Sequence, residues 1–132
     1  MIKNYDIITE LMKKLISVCR SDGDDERLSE HAIEVAEKIG RLVAKNNGVL
    51  VCGGHTGVME AACKGCKEEG GLTVGIMPYT KDESNNYIDI AIPTGIGNIR
   101  NYIVSSKGDV TIFSVLSSII FLMDSSPSPI TT

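Results

Sequence analysis

Apolar residues recur along the chain in two alternating patterns, short continuous runs and longer segments with a helical repeat. The runs "KLISVC" (residues 14–19) and "VLVC" (Val49–Cys52) are bounded by turn-forming residues, which is typical of buried strands. Between them, apolar residues return at three- and four-residue spacing, which predicts a long helix with a left-handed stop at residues 46–48. The apolar face of this helix comprises Leu28, Ala32, Val35, Ala36, Ile39, Leu42 and Val43.

The same alternation continues to residue 115. The spacing predicts a second helix over residues 57–69, closed by Gly70 and Gly71, and a third helix over residues 97–107. Three further strands are predicted at residues 72–77, 87–92 and 109–115. Because strands alternate with helices, each crossover returns to the same sheet and the strands pair in parallel. The prediction is a Rossmann-like α/β fold of three layers with a mostly parallel sheet.

The length of 132 residues suits one domain, which we place at residues 12–115. Residues 1–11 form an N-terminal extension in this interpretation, because Met12 would be a natural start, and residues 116–132 form an atypical tail. The net charge of −4 disfavours a nucleic-acid partner. Four cysteines without a signal peptide indicate reduced thiols in the cytoplasm. The apolar run at residues 110–123 is shorter than the roughly 20 residues that span a bilayer, so no membrane segment is expected.

A glycine-rich turn, "GGHTG", joins the second strand to the second helix. The first N–H groups of a helix have no partner within the helix and carry partial positive charge, so such a turn favours a phosphate. We expect Gly53, Gly54 and Gly57 to let the backbone approach the anion. Thr56 can cap the helix or donate its hydroxyl, and His55 can contact the ligand. The alternative is a tight turn that needs positive φ and binds nothing.

Neither of two common nucleotide motifs is present. The turn lacks the GK[ST] ending of a nucleoside-triphosphate P-loop, and "CRSDGDD" stands where a dinucleotide fingerprint would follow the first strand. A second glycine turn, with Thr94, Gly95 and Gly97, precedes the third helix. It brings Arg100 to the same edge of the sheet, where its guanidinium can bind a phosphate or carboxylate in bidentate fashion. The alternative for Arg100 is a surface ion pair.

The order of "VCGGHTGVMEAACKGCKEEGGLTVGIMP", "NNYIDIAIPTGIGNIRN" and "SSKGDVTI" resembles the Lonely Guy family, Rossmann-fold phosphoribohydrolases long labelled lysine decarboxylase-like. Within it, the chain is most similar to the branch of molybdenum-cofactor carrier proteins. The resemblance implies a homodimer that binds a small phosphorylated molecule, such as AMP or the molybdenum cofactor. It places the catalytic arginine of the hydrolases at Arg100, nine residues before Asp109. Asn101 replaces the lysine of the hydrolytic branch, which favours the carrier-like branch.

The chain departs from the family after Ile112. The family has a Gly-Gly-x-x-Gly-Thr-x-x-Glu segment there, with phosphate donors and a catalytic glutamate, whereas this chain reads "FSVLSSIIFLMDSSPSPITT". We therefore expect a C-terminally incomplete fold with an exposed sheet edge, truncated or frameshifted, that binds its ligand without hydrolysis. The alternatives are an active nucleoside 5'-monophosphate phosphoribohydrolase and a nonfunctional fragment of one.

Two smaller motifs have simpler explanations. Cys63 and Cys66 form a C-x-x-C pair, but they fall inside a predicted helix with no further cysteine pair or histidine cluster, so packing is favoured over redox chemistry or a metal site. The acidic loop with Asp22, Asp24 and Asp25 is explained by helix capping as readily as by a cation. His31 is expected to be structural or solvated. We predict no metal site.

Overall fold

A computed structural model of the chain describes residues 13–20, 30–115 and 118–124. Several features discussed above lie outside these residues. They are the expected N-terminal extension (residues 1–11), the acidic loop with Asp22, Asp24 and Asp25, Leu28, and residues 116–117 and 125–132 of the tail.

The described residues form one six-stranded sheet with three α-helices. In chain order the elements are β1 (Leu15–Arg20), α1 (Glu30–Lys45), β2 (Val49–Cys52), α2 (Val58–Glu68), β3 (Leu72–Met77), β4 (Ile90–Pro93), α3 (Arg100–Lys107), β5 (Val110–Val115) and β6 (Ser118–Asp124). Short 3-10 turns at Lys81–Glu83 and Gly97–Ile99 precede β4 and α3. The strand order is β4-β3-β2-β1-β5-β6. The first five strands are parallel, which confirms the predicted Rossmann-like α/β fold.

Helices cover the sheet on two sides. The larger core cluster includes Leu50 and Cys52 of β2 together with Ala36 of α1 and Ala62 of α2. The smaller cluster includes Val51, which points to the opposite face of β2, together with Val104 of α3. Consecutive residues of β2 are therefore buried on both faces, as expected for a central parallel strand. This explains why "VLVC" is continuously apolar.

The register of the parallel strands brings their carboxyl ends to one edge. Cys52, the last residue of β2, pairs with Gly75 of β3 and with Val18 of β1. Pro93 of β4 pairs with Met77, the last residue of β3. The first glycine turn follows β2 and the second follows β4, so both leave the sheet at this edge, where open α/β sheets bind their ligands.

Two expectations about the strands need correction. The fourth strand was predicted at residues 87–92 but covers Ile90–Pro93, because preceding residues make turn contacts, including one from the Tyr87 amide to Asn85 Oδ1 (2.9 Å). The sequence predicts an atypical tail after residue 115 and an exposed sheet edge. Instead, β6 pairs with β5 in antiparallel fashion, with Ile112 opposite Leu122, so β5 is not an edge strand. Within the described residues, no helix is both long and apolar enough to span a bilayer.

Helices α1 and α2 pack closely enough that two of their residues must be glycine. A Cβ atom added at Gly40 of α1 would overlap the carbonyl oxygen of Ala62, and one added at Gly65 of α2 would overlap the carbonyl oxygen of Glu37. Both obstacles are backbone atoms, which cannot rotate away. The helices touch through their backbones at these points, and α2 is thereby fixed against α1.

We predict that Gly40→Ala lowers the free energy of unfolding by about 1–3 kcal/mol, because the new methyl group forces the helices apart. Lys38→Ala, at an exposed position of the same helix, is the control and changes it by no more than about 0.5 kcal/mol. Urea denaturation followed by circular dichroism measures both. Equal stabilities of the two variants would contradict the described helix contact.

Candidate functional site

The glycine turn between β2 and α2 depends on two residues with left-handed backbone. Gly54 has φ 77° and Gly57, which caps α2, has φ 76°. Other residues rarely adopt these values. At Gly54 a side chain is also excluded by contact, because an added Cβ would overlap the sulfur of Met77. The turn thus lies tightly over the end of β3.

One amide of this turn is hydrogen-bonded, and three others are not bonded to any described residue. The Gly54 N–H donates to Cys52 Sγ (3.3 Å), so it is not available to a ligand. The amides of Thr56, Gly57 and Val58 donate no hydrogen bond to any described residue. These three lie at the start of α2, where the helix dipole is positive. The expected donors therefore lie after Gly54, and Gly54 itself contributes the shape of the turn.

Asn85 fastens the opposite side of the turn. Its backbone amide donates to the Gly54 carbonyl (2.8 Å), and its side-chain Nδ2 donates to the carbonyls of Gly54 (3.2 Å) and His55 (2.8 Å). Asn85 is only 9% exposed. Sequence reasoning missed this residue, because an asparagine in "ESNNY" looks like any loop residue.

Arg100 is buried against the glycine turn. It is the first residue of α3 and only 5% exposed. A Cβ atom on Gly53 would lie 2.9 Å from Nη1 and 3.0 Å from Cζ, so a side chain at this position would require the guanidinium to shift. Nη2 lies 3.3 Å from His55 Nδ1, and Nη1 donates to Asn101 Oδ1. The predicted meeting of Arg100 with the first glycine turn is therefore seen. The predicted alternative, a surface ion pair, is not seen among the described residues.

The charge of Arg100 is poorly compensated. Its Nε–H has no hydrogen-bond partner among the described residues, and no ion pair among them includes it. Burial lowers the pKa of Arg100, while Cys52, Glu83 and Cys19 act in the opposite direction. A guanidinium nevertheless stays protonated in proteins. A buried cation without a counter-ion costs several kcal/mol, and an anionic ligand would remove that cost.

The second glycine turn is held against the end of β3 by hydrogen bonds. Thr94 Oγ1 donates to the Met77 carbonyl (2.7 Å), and the Gly97 amide donates to the Pro78 carbonyl (2.9 Å). Gly95 and Gly97 have φ values of 71° and 64°. These contacts fasten the turn to the end of β3, directly before α3 begins at Arg100. The structure thus places Thr94, Gly95 and Gly97 in the turn that leads from β4 to Arg100.

The cysteines pack in the core beneath the turn. Cys52 Sγ lies 3.5 Å from Cys63 Sγ, and Cys52, Cys63 and Cys66 are all buried. The hydrogen bond from Cys63 lowers the pKa of Cys52, against the effect of burial, and the Gly54 amide and Arg100 lower it further. The same hydrogen bond, with burial, raises the pKa of Cys63. Within the described part of the chain, no group of three or more histidine, cysteine or acidic residues is arranged to hold a metal ion.

The two histidines differ in position. His31 is exposed on α1, far along the chain from the site. The His55 side chain is partly exposed and lies between Arg100 and Glu83, whose Oε2 is 3.8 Å from His55 Nε2. Glu83 is a second residue that sequence reasoning missed.

Comparisons with known proteins agree with this fold. The model of the SLOG cluster4 family matches residues 13–118. An uncharacterized protein of Archaeoglobus fulgidus is 43% identical over 83 residues, which is 63% of this chain and 55% of that protein. The structure of the molybdenum cofactor binding protein from Rippkaea orientalis is 36% identical, with a TM-score of 0.72, over 80% of this chain and 64% of that one.

A second similar structure is the Moco carrier protein from Chlamydomonas reinhardtii. It is 32% identical, with a TM-score of 0.69, over 79% of this chain and 63% of that one. The chain thus spans between 55% and 64% of the length of these relatives.

We predict that Asn85→Asp lowers the free energy of unfolding by about 2–4 kcal/mol, because an acceptor would replace the donor that serves the carbonyls of Gly54 and His55. Asn86→Asp makes the same chemical change at the exposed neighbouring position and is expected to change stability by at most about 0.5 kcal/mol. Thermal and urea unfolding of both variants measure the difference. If the two variants have the same free energy of unfolding, the hydrogen bonds of Asn85 do not stabilise the turn.

Proposed function

We propose that this chain, which belongs to the SLOG cluster4 family, binds a small phosphorylated molecule at the glycine turn and does not hydrolyse it. The observation that carries the proposal is the buried Arg100 guanidinium, whose Nε–H has no hydrogen-bond partner among the described residues. Such a cation is stabilised by an anion that reaches it.

The chemistry of the donors favours a phosphate over a carboxylate. A phosphate has several acceptor oxygens, and it can accept from an arginine and from helix amides at the same time. The phosphate would accept hydrogen bonds from Arg100 on one side and from the amides of Thr56, Gly57 and Val58 on the other. The exposed Thr56 hydroxyl supplies a further donor. Gly53 and Gly54 keep the approach open, because side chains at these positions would meet Arg100 and Met77.

Two phosphorylated ligands fit this proposal. The two similar structures are described as binding or carrying the molybdenum cofactor, which is a phosphorylated pterin and would be cargo for this chain. The alternative is a nucleoside 5'-monophosphate such as AMP, which the resemblance to the Lonely Guy family implies. In both cases the residues described above would hold the phosphate, and the rest of the ligand would set the specificity.

The proposed absence of hydrolysis rests on the missing catalytic acid. N-glycosidic cleavage in the hydrolytic branch uses a glutamate from a segment that has no counterpart after Ile112. The acid near Arg100 in the described residues is Glu83, but its Oε1 accepts from the Thr80 amide (2.8 Å) and its Oε2 faces His55. Arg100 thus acts in binding in this proposal. The cytoplasmic location and the homodimer are part of the same proposal.

We predict that Arg100→Met weakens the binding of AMP and of inorganic phosphate by about 10- to 100-fold, since charge-assisted hydrogen bonds are each worth about 1.5–3 kcal/mol. Arg100→Lys, which keeps the charge without the planar fork, is expected to be intermediate. Arg41→Met is the control, because Arg41 pairs with Glu37 and Glu68 on the helices instead. Isothermal titration calorimetry measures each affinity. Unchanged binding in Arg100→Met would contradict the proposed site.

We also expect no adenine to be released when the protein is incubated with AMP and the mixture is analysed by liquid chromatography. Mass spectrometry of small molecules that co-purify with the native protein should identify a phosphate ester. Release of adenine that Arg100→Met abolishes would instead establish the phosphoribohydrolase. Failure of every phosphorylated ligand to bind would favour the nonfunctional fragment.

A further inference from the structure

The imidazole of His55 lies between the Arg100 guanidinium and the Glu83 carboxylate. Arg100 Nη2 lies 3.3 Å from His55 Nδ1 on one side of the ring, and Glu83 Oε2 lies 3.8 Å from His55 Nε2 on the other. The three residues come from the start of α3, the glycine turn and the 3-10 turn Lys81–Glu83. Three separate segments therefore meet at one imidazole.

The contact with Arg100 requires an imidazole whose Nδ1 carries no proton. A guanidinium can only donate hydrogen bonds, so His55 Nδ1 must accept, and it can do so only without a proton. A neutral imidazole then carries its proton on Nε2. That N–H faces Glu83 Oε2. At 3.8 Å the contact is electrostatic rather than a full hydrogen bond, and its sign favours the same tautomer.

Glu83 is itself held in place by its own turn. Its Oε1 accepts from the Thr80 amide (2.8 Å) and lies 3.4 Å from the Thr80 hydroxyl, as part of a capping box. This leaves Oε2 as the oxygen that faces the imidazole. Asn85, two residues later, binds the His55 carbonyl (2.8 Å). In this loop, Asn85 therefore binds the backbone of His55, and Glu83 lies beside its imidazole.

We propose that Glu83 is a positioning residue that, by keeping His55 in the Nε2–H tautomer, holds the Arg100 guanidinium at the glycine turn ready for an anion. The role in ligand binding rests on the function proposed above, whereas the tautomer is a property of the protein without ligand. With the proton on Nδ1 instead, two donors would face each other and Arg100 would move away. The orientation of the cation therefore depends on an acid that does not touch the ligand.

The variant Glu83→Gln tests the proposal, with Asp82→Asn as the matched control. Both remove one negative charge from the same turn, and Asp82 is exposed. In Glu83→Gln, the amide oxygen is needed by the Thr80 N–H, so the NH2 group faces His55 Nε2 and favours an imidazole that accepts there. We expect the proton to move to Nδ1 in this variant and to stay on Nε2 in the native protein and in Asp82→Asn.

The tautomer is measured by long-range proton–nitrogen NMR of the imidazole rings in the full chain, at about pH 8, where an ordinary histidine is neutral. The chain has two histidines, so the exposed His31 serves as an internal reference. A proton on His55 Nδ1 in the native protein would overturn the proposal. So would a Glu83→Gln variant that keeps the native tautomer.

The effect on binding is measured with inorganic phosphate by isothermal titration calorimetry. Loss of the negative charge alone would leave the affinity equal or higher in both variants. If Glu83 positions Arg100, the Glu83→Gln variant should bind phosphate about 2- to 10-fold more weakly than Asp82→Asn. This range corresponds to the free energy of one hydrogen bond. Equal affinities would overturn the positioning role. If the native protein binds no phosphate while its His55 tautomer is as expected, the proposed function fails and the tautomer assignment stands.

Discussion

The site depends on the buried guanidinium of Arg100, which forms no ion pair with any described residue. Arg100 is 5% exposed, and its guanidinium lies so close to Gly53 that a side chain there would displace it. Among the described residues its hydrogen-bond partners are the side chains of Asn101 and His55, neither of which is a carboxylate. Folding such a group is costly unless something else recovers the cost. In the function proposed above, the bound anion lowers this cost.

The parallel sheet explains how distant segments meet at this cation. Strands β2, β3 and β4 end at one edge, and Met77 at the end of β3 connects both glycine turns. Its sulfur lies so close to Gly54 that an added Cβ would overlap it, and its carbonyl accepts a hydrogen bond from the Thr94 hydroxyl. The turn before α3 is thereby fixed relative to the turn before α2. Asn85 completes the arrangement from the loop between β3 and β4.

Sequence alone predicted the parts of the structure that follow from periodicity and backbone requirements. The central strand β2 and the helix that ends at Lys45 are close to their predicted bounds, and Arg100 lies at the predicted glycine turn. The contacts of Asn85 and Glu83 were not predictable, because they join residues about 30 positions apart through a loop without a motif. Strand β6 was missed because its serine-rich surroundings resemble a tail, although a β-strand needs only a partner edge such as β5.

The most direct test of the central claim is to follow the Arg100 Nε–H signal by proton–nitrogen NMR while inorganic phosphate is added. The account predicts that this signal and the amide signals of Thr56 and Gly57 shift together and give one dissociation constant, because one anion contacts all three. An Arg100 signal that does not move while phosphate binds elsewhere, or that moves without the amides, would contradict it.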